Sequence, residues 1–513
     1  MNFFRTKSIE LIKAQANDGE KNLKKTLGRL NLINLGIGGI IGAGIFSITG
    51  TAAAAHAGPG IAIAFIISAL ACALAGLCYA EMAAMLPLAG SAYTYAYATM
   101  GELIAWIIGW DLILEYLFSS STVAVAWSGY FISFLKEYNI NFPIEYASAY
   151  GQKLIQVPNE GWKTITKDLI HKFETSHIDY SSYAQTTGIL NLPAMFLIFV
   201  LTLILLKGIK ESTLFNNIMV IFKVTVIIMF IIIGFNYINL ENWTPFIPEP
   251  KLVSKEDSQV LEFGWVGIFR AAGVIFFAYI GFDSVSTAAQ EAKNPQKDMA
   301  AGILISLAIC TVLYVLFSLV MTGVVHYSEL NNSAPAAYVV DHMGKGLGWF
   351  RIFIKIAAIA GLSSATLTML FSQPRIFLSM SKDGLLPEIF GKVHPKFGTP
   401  VFGTILTGFF AALIAGIFPI DVLGELVSIG TLLAFIIVCG GVLYLRYSNP
   451  NAERPFKVPA IWIVSILGIL ACLAQMIFLD PLTWGRLFAW LAIGLLIYFG
   501  YGMKRSKLNK TDN

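Results

Sequence analysis

The stretch NLGIGGIIGAGIFSITG, residues 34–50, lies inside an apolar run and governs the interpretation of the whole chain. It holds a dense set of glycines: Gly36, Gly38, Gly39, Gly42 and Gly44. Each glycine in a helix interior costs up to about 1 kcal/mol relative to alanine. Such a density indicates either backbone that leaves the helix or a place where another segment must approach closely.

The composition is typical of a protein whose solvent is the lipid bilayer. Of its 513 residues, 56% are hydrophobic and 13% are charged, whereas soluble domains carry roughly 25% charged residues. About twelve apolar runs have the length of a bilayer crossing, and backbone groups in lipid must be hydrogen-bonded within their own segment, so these runs are predicted to be helices. They lie near residues 31–55, 60–86, 102–135, 189–206, 212–236, 264–290, 299–325, 348–380, 400–418, 421–446, 459–478 and 484–503.

The distribution of Lys and Arg predicts the orientation in the membrane. An even number of spans puts both termini on one side, and the excess of positive charge in the segments on that side predicts that it is the cytoplasm. The predicted location is the cell membrane (inner or plasma membrane), with a cytoplasmic segment over 1–30 and a cytoplasmic tail over 504–513. The polar loop at about 136–188 is predicted to be a partly ordered extracellular excursion without an evident core. Residues 8–29 are amphipathic, and they suit either the inner leaflet or a solvated tail.

A second interruption lies in the sixth apolar run, where Gly281 and Asp283 follow the sequence FFAYI. In two repeats of five spans, the first and sixth helices occupy corresponding positions, and breaks in both are typical of inverted-repeat transporters with a site at the middle of the bilayer. Free N–H groups at the first break suit a carboxylate, and carbonyls at the second suit an ammonium, so an amino acid fits both. Close helix packing is the alternative for the glycines. A dinucleotide-binding loop is excluded because the strand and βαβ unit that it needs are missing.

The predicted substrate site therefore uses positions at both breaks. They are Ile40, Gly42, Ala43 and Gly44 at the first break and Phe277, Ala278 and Ile280 at the second. Either Phe276 or Phe277 is predicted to close over the substrate as a thin gate, with core packing as the alternative.

Four stretches resemble a known family: GIGGIIGAGIF (36–46), YAEMAAMLPLAGSAYTYAY (79–97), GWDLILEY (109–116) and FFAYIGFDSVSTAAQEAKNPQKDMA (276–300). The chain resembles the amino acid–polyamine–organocation (APC) permeases, and among them the bacterial cationic amino acid transporters. The resemblance covers about residues 25–450. It implies an all-α fold with a five-plus-five inverted repeat, the leucine-transporter fold, followed by two extra helices. The implied division is a first repeat over 31–236, a second over 264–446, and helices eleven and twelve over 459–503. The implied activity is amino acid transport by alternating access.

Lys223 lies near the middle of the fifth apolar run. An apolar environment disfavours the charged form of a lysine, so a lysine there can carry a proton. In the resembled family, a matching lysine on helix five occupies the place where sodium sits in related transporters. The resemblance thus implies a proton rather than sodium as the coupling ion, with deprotonation loosening a tie between helices one and five. A lysine that reaches to the membrane surface is the alternative.

Other polar residues inside spans are further candidates. Asp111 and Glu115 lie one helical turn apart, and Glu115 is predicted to select the substrate side chain or else to be a structural acid. Ser364 is a candidate for the substrate side of helix eight or for helix packing. For Glu81, the resemblance implies a gate or a tie between helices, and a simple ion pair is the alternative.

The remaining patterns exclude other classes of protein. No nucleophile, base and orienting group fall in a recognisable arrangement, the six histidines lack metal-ligand spacing, and no phosphate-binding GxxxxGK[ST] loop is present. The sequence therefore predicts a secondary active transporter of an L-amino acid, neither an enzyme nor a nucleic-acid binder, without cofactor or metal. An amino acid exchanger and a transporter-like sensor are the alternatives. Cationic or neutral substrate preference and the oligomeric state stay open.

Overall fold

The computed structural model describes residues 5–12, 23–158, 161–165, 169–170, 173, 179–255, 258–331, 334–477, 479 and 481–508. Within these residues the chain is mainly helical. In chain order the helices are α1 (Arg29–Ile40), α2 (Thr49–Ala52), α3 (Ile61–Met85), α4 (Ala92–Thr99), α5 (Glu102–Glu137), α6 (Leu192–Lys207), α7 (Ile209–Phe235), α8 (Gly264–Ile275), α9 (Ser284–Thr287), α10 (Pro295–Val324), α11 (Pro335–His342), α12 (Gly348–Lys382), α13 (Val401–Ile417), α14 (Ile420–Ser448), α15 (Ile461–Ile477), α16 (Pro481–Ile497) and α17 (Met503–Arg505).

The long helices account for the predicted spans. In the described part of the chain, eight helical stretches are long and apolar enough to cross a membrane, with Arg29–Met85 counted as one. Three shorter apolar helices, α6, α13 and α15, accompany them. A helix lies at each predicted apolar run, so the chain is an all-α protein with several membrane-spanning helices. The number of twelve crossings, the inverted repeat and the bounds of its two halves stay predictions.

The core of the molecule surrounds the interrupted helices. α1 packs against α7, α10 and α12, and α12 packs along α5. One cluster of buried apolar side chains runs through these helices. The outer surface carries exposed apolar side chains instead, such as Phe199, Phe409 and Leu496, which suits contact with lipid.

The loop predicted at about 136–188 has more structure than the sequence indicated. Strand β1 (Lys153–Val157) pairs antiparallel with β2 (Gly161–Thr164) and with β3 (Gln185–Thr187). Ile155, Val157 and Phe173 form a small buried cluster. The prediction that this loop lacks a core was therefore wrong, because two apolar residues of β1 pack with Phe173, which lies outside the strands and farther along the sequence. A hairpin of β4 (Lys251–Lys255) and β5 (Ser258–Glu262) precedes α8.

Both chain ends lie on one face of the molecule, which we call the terminal face. Arg5 Nη1 donates to the carbonyl of Leu508 at 3.4 Å, and Lys7 Nζ lies 2.6 Å from Asp383 Oδ1 at the end of α12. This contact agrees with an even number of crossings. The predicted amphipathic segment 8–29 lies partly outside the described residues.

Candidate functional site

The first long helix is interrupted inside the protein. α1 ends at Ile40, and Ile41 adopts an extended conformation with φ −75° and ψ 92°. A π-helix, Gly44–Ile48, then continues toward α2. Gly42, Ala43 and Gly44 thus begin the second half of this broken helix, where the first N–H groups of a helix lack intrahelical acceptors.

The second interruption follows α8. A short 3-10 helix, Phe276–Tyr279, leads to Ile280, whose ψ of 134° ends the helical path. Gly281 has φ +120°, a conformation that residues with a Cβ rarely adopt. α9 then starts at Ser284. Both interruptions predicted from the sequence are therefore present.

The two interruptions touch each other. A Cβ atom added to Gly44 would overlap Ala278 of the second break. A Cβ added to Gly39 would lie 3.0 Å from the carbonyl oxygen of Gly281. The glycines consequently serve both purposes considered above, because some lie where the backbone leaves the helix and others where two backbones approach closely.

A small cavity lies between the two breaks. It encloses ≈ 10 Å³ and is lined by Gly39, Ile40, Gly42, Ala43, Gly44, Ser119, Val123, Phe277, Ile280 and Met369. This volume is about that of one water-sized probe, so anything larger requires a wall to move. Ser119 is the one lining residue with a side-chain hydroxyl, and this buried oxygen has no hydrogen-bond partner among the described residues.

Lys223 of α7 reaches the first break. Its fully buried Nζ donates to the carbonyl oxygens of Gly38 at 3.1 Å and Ile41 at 2.7 Å. It also lies 2.7 Å from the hydroxyl of Ser364 on α12. The ammonium thus satisfies carbonyls that the end of α1 leaves without helical donors, and it joins three helices at one point.

Comparison with known proteins identifies this architecture. A family model described as "Amino acid permease" matches residues 27–498. The chain belongs to the amino acid permease family. The resemblance to the APC superfamily inferred from the sequence is confirmed.

The relatives of this permease are named after different substrates. It is 41% identical to the methylthioribose transporter of Bacillus subtilis (strain 168), over 99% of both chains. It is 43% identical to the branched-chain amino acid permease BcaP of the same organism, again over 99% of both. It is 36% identical to cationic amino acid transporter 4, vacuolar, of Arabidopsis thaliana, over 87% of this chain and 67% of that one. The permease is accordingly a multi-pass membrane transporter and not an enzyme.

The acids of α5 lie beside the cavity lining rather than in it. Glu115 and Asp111 are fully buried, and none of their carboxylate oxygens has a hydrogen-bond partner in the described structure. Glu115 is not among the lining residues of the cavity. Nearby, Asp283 accepts from the hydroxyl of Tyr116 at 2.6 Å and from the amide of Gly281 at 3.2 Å.

Three other residues predicted to belong to the site lie in different surroundings. Phe277 lines the cavity, whereas Phe276 packs edge-on against Phe435 with ring centroids 5.8 Å apart. Ser364 faces Lys223 rather than the cavity.

Glu81 ties the end of α3 to the end of α14. Its carboxylate accepts from Arg446 at 2.6 Å and 3.0 Å and from the amide of Val458 at 2.7 Å, and Arg454 lies 3.2 Å away. These contacts form an ion pair between two helices, and the gate or helix-tying role implied by the resemblance stays a prediction.

The sequence analysis missed Tyr314 of α10. Its buried hydroxyl lies 2.7 Å from the carbonyl oxygen of Ile40 and 3.0 Å from that of Ala278, so it contacts both breaks. Ala278 itself does not line the cavity. A tyrosine in an apolar run carries no signal of such a contact, although a buried hydroxyl needs some partner.

Proposed function

We propose that this permease is a proton-coupled secondary transporter that takes up neutral amino acids by alternating access. One observation carries the proposal: Lys223 and the cavity share the same break. Lys223 bonds to the carbonyls of Gly38 and Ile41, while Ile40 and Gly42, on either side of Ile41, line the cavity. A change at the lysine therefore acts on the backbone that would hold the substrate.

The substrate would lie across the two breaks. Its carboxylate suits the N–H groups that begin the second half of the broken helix at Gly42–Gly44. Its ammonium suits the carbonyl oxygens at the second break, and Ile280 offers one that accepts no hydrogen bond in the described structure. The carbonyl of Phe277 already accepts from the amide of Ile280 at 3.3 Å, and that of Ala278 lies 3.0 Å from the hydroxyl of Tyr314. Phe277 is then the gate that must move to admit it.

The lining favours a neutral side chain. Val123, Met369 and Ile280 surround the cavity with apolar groups, and Ser119 adds one hydroxyl. No carboxylate is among the lining residues, and an ammonium or guanidinium buried without a counter-charge is costly. The similarity to a relative named as a branched-chain amino acid permease supports the same substrate class.

Proton coupling follows from the bonds of the lysine. A protonated Lys223 has three N–H donors, and the structure offers three acceptors. Loss of the proton removes the charge and one donor, and charge-assisted hydrogen bonds are about twice as strong as neutral ones. Deprotonation therefore weakens the link between α1 and α7 and permits the broken helices to move with their bundle. In this scheme both termini face the cytoplasm.

The test is uptake into proteoliposomes. Labelled alanine, leucine, isoleucine, arginine and methylthioribose are offered with an inward proton gradient, with a sodium gradient and with neither. We expect the neutral amino acids to accumulate only with the proton gradient. Lys223→Ala should abolish that accumulation, whereas Lys210→Ala, an exposed lysine at the start of the same helix, should leave it unchanged.

The other outcomes separate the alternatives. Uptake that needs an internal amino acid but no gradient would identify an exchanger. Binding without flux would identify a sensor. Accumulation of methylthioribose alone would contradict an amino acid substrate, and accumulation driven by sodium would contradict the role of Lys223.

A further inference from the structure

A second and larger cavity opens on the terminal face, away from the breaks. It encloses ≈ 420 Å³ between the segment before α1, the end of α3 and the start of α10. Met85, Ala289 and Gln290 form its buried floor, and the exposed lysines Lys25, Lys293 and Lys297 form its rim. None of these residues takes part in the proposed transport mechanism.

The rim is strongly positive. The described structure shows no ion pair for any of the three lysines, and Asp298 is the acidic residue in the first turn of the adjoining helix. That helix, α10, begins at Pro295 beside the cavity, and its N-cap Asn294 makes no side-chain capping bond. The N-terminus of a 30-residue helix adds partial positive charge. Pro295 has no N–H, and the amides of Lys297 and Asp298 donate to the carbonyl of Asn294, so the amide of Gln296 is the first-turn donor left for a ligand in the described structure.

Gln290 gives independent evidence that something binds there. It is 5% exposed, and its amide oxygen has no hydrogen-bond partner among the described residues. A buried carbonyl oxygen without a hydrogen-bond donor is unfavourable. The side chain lines the cavity, and its NH₂ group can supply two donors to a ligand there.

We propose that this cavity binds the phosphate group of an anionic molecule. The lysines supply charge, the start of α10 and Gln290 supply N–H donors, and Met85 and Ala289 leave room for an apolar part of the ligand. Phosphate bound here would link the segment before α1 to the segment that follows the second break, and it would hold the terminal face closed. An anionic phospholipid head group and a soluble phosphate share this chemistry.

Thermal unfolding distinguishes the two sources. The full-length permease is placed in nanodiscs of phosphatidylcholine with increasing phosphatidylglycerol, and separately in detergent with inorganic phosphate or chloride at equal ionic strength. Stabilisation by phosphatidylglycerol alone identifies the lipid head group, and stabilisation by inorganic phosphate identifies a soluble ligand. Lys293→Gln should weaken the apparent affinity about tenfold because it removes a charge-assisted bond.

Two further variants make the test specific. Gln290→Leu keeps the net charge and should also weaken the affinity. Lys392→Gln removes an exposed charge elsewhere on the terminal face and should leave the affinity unchanged. The proposal is overturned if neither phosphatidylglycerol nor phosphate stabilises the protein. It is equally overturned if Lys293→Gln and Lys392→Gln behave alike, because the effect would then be one of net charge.

Discussion

Gly44 shows how the absence of a side chain allows two interrupted helices to lie in close contact. Its missing side chain lets the first break rest on Ala278 of the second, and an added Cβ would overlap that residue. We predict that Gly44→Ala lowers the midpoint of thermal unfolding and abolishes amino acid uptake. Overpacking of this kind costs typically about 1–3 kcal/mol, and here it also separates the walls of the cavity. Unfolding of purified protein and uptake into proteoliposomes measure the two effects.

Gly273 of α8 provides the matched control for the substitution of Gly44. A Cβ added there meets no atom within 4 Å. Gly273→Ala should leave uptake unchanged and raise stability slightly, since alanine favours a helix interior by up to about 1 kcal/mol. Equal effects of the two substitutions would mean that contact between the breaks is unimportant.

At the scale of elements, two ion-pair clusters, each around a buried glutamate, connect segments next to the breaks at opposite faces. On the terminal face Arg375 of α12 donates to the carboxylate of Glu291 at 2.6 Å and 2.8 Å. The backbone carbonyl of Glu291 separately accepts from two backbone amides before α1. On the opposite face Glu262 accepts from Arg270 of α8 at 2.7 Å and lies 2.7 Å from His56, which follows α2. We infer that each cluster restrains opening of the face on which it lies.

Breaking the two clusters should therefore shift the equilibrium between the conformations of the permease in opposite directions. Loss of the Glu291 charge should cost about 3–5 kcal/mol because Arg375 stays buried and unpaired. Loss of the Glu262 charge should cost less because the side chain of Arg270 is 29% exposed. We predict that Glu291→Gln favours opening at the terminal face and that Glu262→Gln favours opening at the other. A cysteine introduced by Ser119→Cys in the cavity lining reports this, through labelling by an impermeant maleimide from each side of the membrane. Labelling that increases from the same side in both variants would contradict the assignment.

For the whole molecule, the sequence predicted what depends on local composition. Apolar runs located the helices, glycines located both breaks, and a single charge in an apolar run pointed to Lys223. Beyond the shared site of the two breaks and the tie that the resemblance implies for Lys223, it did not predict contacts between distant segments. Tyr314 resembles any other tyrosine in an apolar run until the fold brings Ile40 and Ala278 to its hydroxyl. The small core around Phe173 likewise joins this residue to β1, a contact that periodicity and composition do not show.

The two chain ends make further contacts between segments that are distant in the sequence. Lys7 pairs with Asp383 at the end of α12, which also accepts from Tyr93 at 2.8 Å. From the other terminus, the hydroxyl of Ser506 contacts Glu102, and the amide of Lys507 donates to the carbonyl of Asp383 at 3.0 Å. The two chain ends thus contact the start of α5, at Glu102, and the end of α12, at Asp383.

We therefore expect substitution by asparagine to lower the stability of the permease more at Asp383 than at Asp341. Asp383 is buried with its lysine, whereas Asp341 pairs with Arg351 on the other face with 43% of its side chain exposed. Asp383→Asn should destabilise the permease by about 3–5 kcal/mol and make the N-terminal segment accessible to trypsin. Asp341→Asn should cost no more than about 1 kcal/mol, because water already screens that pair. Thermal unfolding and limited proteolysis measure the difference, and equal stability of the two variants would show that the chain ends do not fasten the central helices.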